Sequence, residues 1–295
     1  MLGVVNLDKP VGPTSHDMVG LLRRLTGTRR IGHAGTLDPL ASGVLPILVG
    51  AATRFSEELT GGRKRYDAVV RLGARSATDD AEGQIVASDA PLPAEDDVRE
   101  ALARFVGTYD QRPPDFSARK QGGTTAHRAA RAGAPIEVLP RRVTVHAIDL
   151  VSVEAVDGQL DVRIDVTCGA GTYIRAIARD LGDALGCGGY LSALRRTEAA
   201  GLRADDGLRP EQLEALAAEG RLGEAVRPVG DLLPLPRITL EPEAAQRFLH
   251  GSAQPLNGVA DGRAVVFRDE DLLGIGRVTA GILQPEKVVA TGVVE

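Results

Sequence analysis

Gly32-His33-Ala34-Gly35-Thr36-Leu37-Asp38-Pro39-Leu40-Ala41-Ser42-Gly43 sets an imidazole and a carboxylate on one short loop of glycines, small residues and a proline. An ordinary helix is excluded there, because Pro39 fixes its own φ and pushes Asp38 out of the α region. The glycines let backbone approach a ligand without side chains in the way. Downstream, Val44-Leu45-Pro46-Ile47-Leu48-Val49-Gly50 reads as a buried apolar segment that anchors the loop. A polar, glycine-bordered loop on a rigid apolar support is a way to present one reactive group. Asp-Pro is also a common turn initiator, so chemistry alone leaves Asp38 as turn residue or catalyst, and His33 as a hydrogen-bonded loop histidine.

Upstream, Val4-Val5-Asn6-Leu7 is a short strand, and Asp8-Lys9-Pro10-Val11-Gly12-Pro13 is a rigid turn. Thr14 or Ser15 then caps a helix with Met18, Val19, Leu22 and Leu25 on one face. Downstream, Tyr66, Ala68, Val70 and Leu72 share one face of a strand that follows Arg63-Lys64-Arg65. Thr78 to Gly83 is an acidic turn, and Asp96 to Phe105 an amphipathic helix stopped by Gly107. Leu160 to Thr167 alternates as a half-buried strand and turns through Gly169-Ala170-Gly171-Thr172 into a helix with Ile174, Ile177, Ala178, Leu181 and Leu185 on one face. Tyr173 and Arg175 fall on its first turn, Arg175 off the apolar stripe. The stiff connector Leu233-Pro234-Leu235-Pro236 divides residues 1–232 from a smaller unit, 237–295, of one short helix and several short strands.

A length of 295 residues suggests about two domains. With 43% apolar and 25% charged residues the composition is that of a globular protein. No apolar run reaches the roughly 20 residues of a membrane span and no signal-peptide pattern opens the chain, so a cytoplasmic protein without a membrane partner is expected. Cys168 and Cys187 are too few for a disulfide framework and have no partners at zinc spacing. The net charge of −5 is unevenly spread: from Gly201 onward there are 10 Lys+Arg against 15 Asp+Glu, so residues 1–200 are formally neutral. Within them, Gln111 to His146 carries seven basic residues against Asp115 and Glu137, a local basic segment suited to phosphates. It is rich in Pro, Gly and Thr, and reads as an inserted arm, about 108–146, that orders when RNA is bound.

The opening stretch resembles the signature Gly-His-x-Gly-x-Leu-Asp-Pro-x-Ala-x-Gly of the bacterial tRNA pseudouridine synthases of the TruB family, and residues 32–43 match it throughout. Leu-Asp-Lys-Pro-x-Gly-x-Thr-Ser near the N-terminus, Gly171-Thr172-Tyr173-Ile174-Arg175 and Gly188 to Thr197 resemble further family motifs, so the resemblance covers about residues 3–200. It implies an α+β fold, a mixed, mainly antiparallel sheet with flanking helices (the pseudouridine synthase fold), and a small C-terminal β domain resembling the PUA RNA-binding domain. It also implies isomerisation of uridine to pseudouridine at position 55, in the T arm of tRNA, by a monomer that needs no guide RNA.

By that resemblance Asp38 is the nucleophile, Arg175 its neighbouring cation, and Tyr66 the ring that stacks on the target uracil. Tyr173 packs near the base, Leu194 lies against it, and His33 fills the space left by the flipped nucleotide. Lys9 either contacts substrate or holds its turn. Arg119, Lys120, Arg128 and Arg131 of the arm are the expected RNA contacts. The reaction breaks N1–C1′, turns the uracil and re-forms the link through C5; nothing is oxidised and no group is added, so no cofactor and no metal are expected. A flipped-out uridine costs a few kcal/mol. The carboxylate can attack C1′ or C6, or stabilise positive charge on the ribose; Tyr66 or Tyr173 is the candidate base at C5. One departure stands out: Gly123-Thr124-Thr125-Ala126-His127 replaces the family's glycine, basic pair, small residue and tyrosine, which bears on tRNA affinity more than on chemistry. The alternatives are a non-catalytic RNA-binding protein, a guide-RNA-dependent synthase, and a glycosidase, for which no second carboxylate is placed.

Overall fold

Alternation along the strands divides them between a packed and an open side. In the computed structural model, which describes residues 2–116, 120–121, 124–125 and 139–289, the first strands are Gly3–Lys9 (β1), Ile31–His33 (β2), Ala41–Val49 (β3) and Lys64–Leu72 (β4). Ala74–Ser76 (β5), Ile85–Ala87 (β6), Gly107–Gln111 (β7), Lys120–Gln121 (β8) and Thr124–Thr125 (β9) follow. Then come the long hairpin of Arg141–Val156 (β10) and Gln159–Cys168 (β11), and Gly189–Ala199 (β12), Leu202–Arg203 (β13) and Val226–Arg227 (β14). The helices of this part are Ser15–Thr26 (α1), Ser56–Thr60 (α2), Glu95–Ala103 (α3), Ile174–Ala184 (α4) and Pro210–Ala218 (α5).

Ten strands form one sheet in the order β14-β1-β3-β12-β4-β11-β10-β7, with β2 on β3 and β13 on β12. All its pairings are antiparallel except β12 with β3. This is the mixed, mainly antiparallel sheet with flanking helices that was expected. On β4, Tyr66, Ala68, Val70 and Leu72 are buried and pack with Ile174, Ile177, Ala178 and Leu181 of α4 and with Val98 and Leu102 of α3. Burying side chains of this size contributes roughly 1.5–3 kcal/mol each. On the opposite face of β4 and β11 lie cross-strand ion pairs, Arg71 with Asp161 at 2.6 Å and Arg65 with Asp165 at 2.8 Å.

A second core joins β1 and β3 to α1 and α5 through Val5, Leu7, Leu22, Leu45, Ile47 and Leu213. The N-cap of α1 is Thr14, not Ser15: Thr14 Oγ1 accepts from Asp17 N and Asp17 Oδ2 accepts from Thr14 N. A five-stranded sheet holds Arg237–Thr239 (β15), Gln254–Pro255 (β16), Gly262–Arg268 (β17), Asp271–Thr279 (β18) and Ile282–Val288 (β19), with helix Pro242–Leu249 (α6) against it. Val265, Phe267 and Ile275 of this unit share a core with Val4, Phe55 and Leu59. Lys287 and Arg263 close on the buried Glu58 at 2.9 and 2.7 Å. No described helix is long and apolar enough to cross a membrane.

Candidate active site

The Asp38 loop is held from several sides. Ala41 N donates to Asp38 O at 3.0 Å, closing a four-residue turn with Pro39 at its second position. Ser15, buried at the start of α1, donates through Oγ to Leu37 O and accepts from Leu37 N, at 2.9 and 2.8 Å. Gly12 N donates to Pro39 O at 2.8 Å and Ala34 N to Pro46 O at 2.9 Å. Lys9 belongs to the same scaffold. Its side chain is fully buried, and Nζ donates to Pro10 O, Pro13 O and Pro39 O at 2.8, 2.7 and 3.4 Å. Burial, only partly offset by Asp38, lowers Lys9 to about 8. These three carbonyls are what the turn-holding task asks of Lys9, which is not among the residues that line the pocket beside Asp38.

Asp38 opens into a pocket of about 240 Å³ lined also by Tyr66, Tyr173, Arg175 and Leu194. The four come from β4, from α4 and the residue that caps it, and from β12, and they meet because β12 and β4 are neighbours with α4 packed across them. Arg175 is almost entirely buried. Its Nη2 lies 3.0 Å from Asp38 Oδ2 and its Nη1 3.2 Å from Asp80 Oδ2, and it donates to Thr78 O and Phe116 O at 3.0 Å each. The helix face off the apolar stripe is therefore turned toward the loop, not toward solvent. Asp80 is itself buried and accepts from Thr78 Oγ1 and Glu82 N at 2.5 and 3.1 Å.

Tyr66 is buried, and that burial, opposed by the Arg196 charge and hydrogen bond, pushes its phenol above the ordinary tyrosine range. It is therefore protonated at neutral pH. Tyr173 caps α4, its backbone gripped by the buried Gln111 side chain: Tyr173 N donates to Oε1 at 2.9 Å and Nε2 donates to Tyr173 O at 3.1 Å. His33 ends β2, opposite Ile47, and is half-buried beside the pocket rather than on its wall. Burial first, then the Arg196 and His16 charges, hold its imidazole below the usual histidine range, so it is neutral at pH 7.

Three pocket-side groups escaped the sequence reading as functional residues. Arg196, with 1% of its surface exposed, lines the pocket and donates from Nε to Val44 O and from Nη2 to Gly35 O, at 2.7 and 2.9 Å. Lys64, also on the wall, donates to Thr60 O and Gly62 O at 2.7 and 3.1 Å. Asp80 is the third. The signal for the first two was the two-residue period of a strand: Arg196 follows Leu194 by two and Lys64 precedes Tyr66 by two. Of the arm residues, Arg119, Arg128 and Arg131 lie outside the described residues, as does the Lys120 side chain. Among the described residues no group of three or more His, Cys, Asp or Glu side chains is placed to hold a metal.

A family model described as TruB family pseudouridylate synthase (N terminal domain) matches residues 23–174, and one described as tRNA pseudouridylate synthase B C-terminal domain matches residues 175–234. The curated tRNA pseudouridine synthase B of Ralstonia pickettii (strain 12J) is 42% identical over 300 residues, spanning 97% of this chain and 94% of the relative. Its counterpart in Ralstonia nicotianae is 43% identical over 295 residues, with the same shares covered. Among solved structures, a chain of a Cbf5-Nop10-Gar1 complex superposes with a TM-score of 0.74 at 27% identity, covering 97% of this chain and 84% of that one. A chain of an H/ACA RNP bound to a substrate RNA containing 2'-deoxyuridine gives 0.73 at 25% identity, with the same coverage.

Proposed function

The chain belongs to the TruB family of pseudouridylate synthases, and from that premise we propose that it isomerises uridine to pseudouridine at position 55, in the T arm of tRNA, with Asp38 as the nucleophile on a flipped-out uridine. The observation that carries the reading is the Asp38–Arg175 pair, 3.0 Å apart, at the mouth of a pocket walled by Tyr66, Tyr173 and Leu194. Asp38 keeps 39% of its side chain exposed, so it is open to an incoming ribose, while Arg175 behind it is 6% exposed and fixed by four acceptors. A fixed cation that needs no reorganisation keeps the carboxylate charged and aimed.

Tyr66 and Leu194 sandwich the uracil, Tyr173 packs at its edge, and the neutral His33 ring stacks in the space the nucleotide leaves. Asp38 attacks C1′ or C6, or steadies positive charge on the ribose, while N1–C1′ breaks; the base turns, C5 bonds to C1′, any bond that Asp38 formed to C1′ or C6 breaks and returns the carboxylate, and the C5 proton leaves. Tyr66 or Tyr173 takes the C5 proton. The enzyme works as a monomer in the cytoplasm without guide RNA. Relatives named tRNA pseudouridine synthase B at 42–43% identity support this over the ribonucleoprotein neighbours at 25–27%. The arm with Arg119, Lys120, Arg128 and Arg131, and the PUA-like unit from residue 237, add RNA contacts.

The test is incubation with an unmodified tRNA transcript and no guide RNA, followed by mapping of pseudouridine. Conversion at position 55 is expected, lost in Asp38→Asn while that variant still binds tRNA. An Asp38→Asn protein that still converts uridine removes Asp38 as nucleophile; conversion elsewhere removes the site assignment.

A further inference from the structure

Two cations lie side by side in the pocket wall without an acid between them. Lys64 is 8% and Arg196 1% exposed, and among the described residues neither has a carboxylate oxygen within 4.0 Å. They converge on Gly35, which holds a φ of +103°: a Cβ there would sit 3.4 Å from Arg196 Nη1 and 3.6 Å from Lys64 Cε. Backbone carbonyls satisfy part of each group. Arg196 gives Nε to Val44 O, Nη2 to Gly35 O and, at 3.4 Å, Nη1 to Thr36 O, while Lys64 gives two of its three hydrogens to Thr60 O and Gly62 O. The third Lys64 hydrogen has no described acceptor, and both side chains face the same pocket as Asp38. Burying two like charges together is costly unless an anion joins them.

We propose that Lys64 and Arg196 are a cationic floor for the uracil, Lys64 donating to a base oxygen and Arg196 setting the field, so that negative charge developing on O2 and O4 is stabilised. The inference rests on the isomerase reading and extends it to the base half of the reaction. If Asp38 attacks C1′, the N1–C1′ electron pair leaves on the uracil and spreads over N1, O2 and O4. If it attacks C6, the C5–C6 pair moves toward C4 and its oxygen. Either way the uracil passes through an anion while the positive or bonded centre faces Asp38, and no oxidant or added proton is required. A pocket with a carboxylate for the sugar, and an ammonium and a guanidinium for the base, matches that separation of charge. The same electrostatics read out in Lys64, which burial and the Arg196 charge lower to about 8.

The groups facing Lys64 are Arg196 on β12, Cys168 on β11, Tyr66 on its own strand and Asp38 from the loop. Burial pushes the Cys168 thiol up to about 11 and raises Tyr66, so neither titrates between pH 6 and 9.5. Lys9, near the loop, is the one other lysine lowered to about 8 among the described residues. The experiment uses full-length wild type, Lys64→Met and Lys64→Arg in single-turnover reactions on tRNA transcripts carrying uridine or 5-fluorouridine at the target, read as loss of the starting nucleoside, because a fluorinated C5 has no proton to give up and the reaction on that base stops before the final step. Lys64→Met should slow uridine conversion about 100-fold, the size of losing one preorganised donor to a developing oxyanion. The loss on 5-fluorouridine should be about tenfold smaller, since fluorine already withdraws charge from the base. Transcript binding should stay within about twofold of wild type, with Lys64→Arg recovering part of the rate. Wild-type rate should fall above pH 8, and Lys64→Met should lose that fall; a fall that persists assigns it to Lys9 and counts against the floor. A Met variant with wild-type rate, or one slowed equally on both transcripts, overturns the floor while leaving the isomerase reading intact. Wild-type protein that converts neither transcript overturns both.

Discussion

Arg175 reaches Asp38 across 3.0 Å with a guanidinium from 137 positions further along the chain, and the same guanidinium lies 3.2 Å from Asp80. One cation therefore answers two carboxylates, one open to the pocket and one buried. Removing it strands Asp80, which among the described residues keeps only the Thr78 hydroxyl and the Glu82 amide. Arg175→Met is expected to lower unfolding free energy by about 3 kcal/mol, the usual penalty of a buried charge that loses its partner. Urea unfolding measures it, and turnover on tRNA should fall at the same time by at least about 100-fold. Arg175→Lys, which keeps charge but not the fork, should restore most of the stability and little of the turnover.

Gln111 places Tyr173 by imitating a backbone: its amide gives and takes one hydrogen bond with the same residue. Gln111→Leu keeps the bulk and removes both. Tyr173 O keeps the Ile177 amide at 3.2 Å, but Tyr173 N is left unpaired, which should cost about 1 kcal/mol. Because Tyr173 sits on the pocket wall, the drop should appear in kcat more than in KM, about tenfold, on the general ground that small displacements of a positioning group cost rate. Steady-state kinetics on a T-arm transcript decides the point; a change confined to KM would detach Tyr173 from the chemical step.

Gly43 is the last position of the short parallel run of β3 beside β12, opposite Arg196, at a φ of +101°. A Cβ there would stand 2.2 Å from Arg196 O, a backbone atom that cannot swing aside. Gly43→Ala must part the two strands at the point where Arg196 grips the Asp38 loop. Its cost combines strained φ with displaced backbone and should be about 2–4 kcal/mol. Thermal unfolding tests this, with Ser42→Ala on the neighbouring position as the control expected to be within about 0.5 kcal/mol of wild type.

Much of this was legible in the linear chain because it is written in local rules. Pro39 and the glycines exclude a helix around Asp38, strict alternation places Tyr66 with Val70 and Leu72, and the glycine turn before Ile174 starts a helix where Arg175 falls. What stayed hidden depends on partners far away in sequence. Lys9 is sealed by Pro39, thirty positions on, and Asp80 acquires meaning only from Arg175. Lys64 and Arg196 carry no local mark of burial, since lysine and arginine are ordinarily surface residues. Counting by two from Tyr66 and Leu194 would have turned both inward, but only the sheet order, with β12 against β4, sets them in one pocket.

The Lys64 ammonium is a stability cost that the fold carries at neutral pH. An ordinary lysine value of 10.5 falls to about 8 on burial, so below pH 8 the folded protein holds a charge that the burial opposes. Between pH 8 and 10.5 the folded lysine is neutral while the unfolded one is still protonated; the unfolded state then binds more protons, and wild-type stability rises with pH across that window. Lys64→Met removes the charge and keeps most of the apolar stem. At pH 7 it should be more stable than wild type by about 2 kcal/mol, less than the full shift implies because the Thr60 and Gly62 carbonyls lose their donor. The advantage should shrink steadily from pH 8 to 10.5, a difference to which Lys9 contributes nothing because both proteins carry it. Urea titrations of the pair at pH 7, 8.5 and 10 measure this, and a Met variant less stable than wild type at pH 7 would mean that the two carbonyl bonds outweigh the burial of the charge.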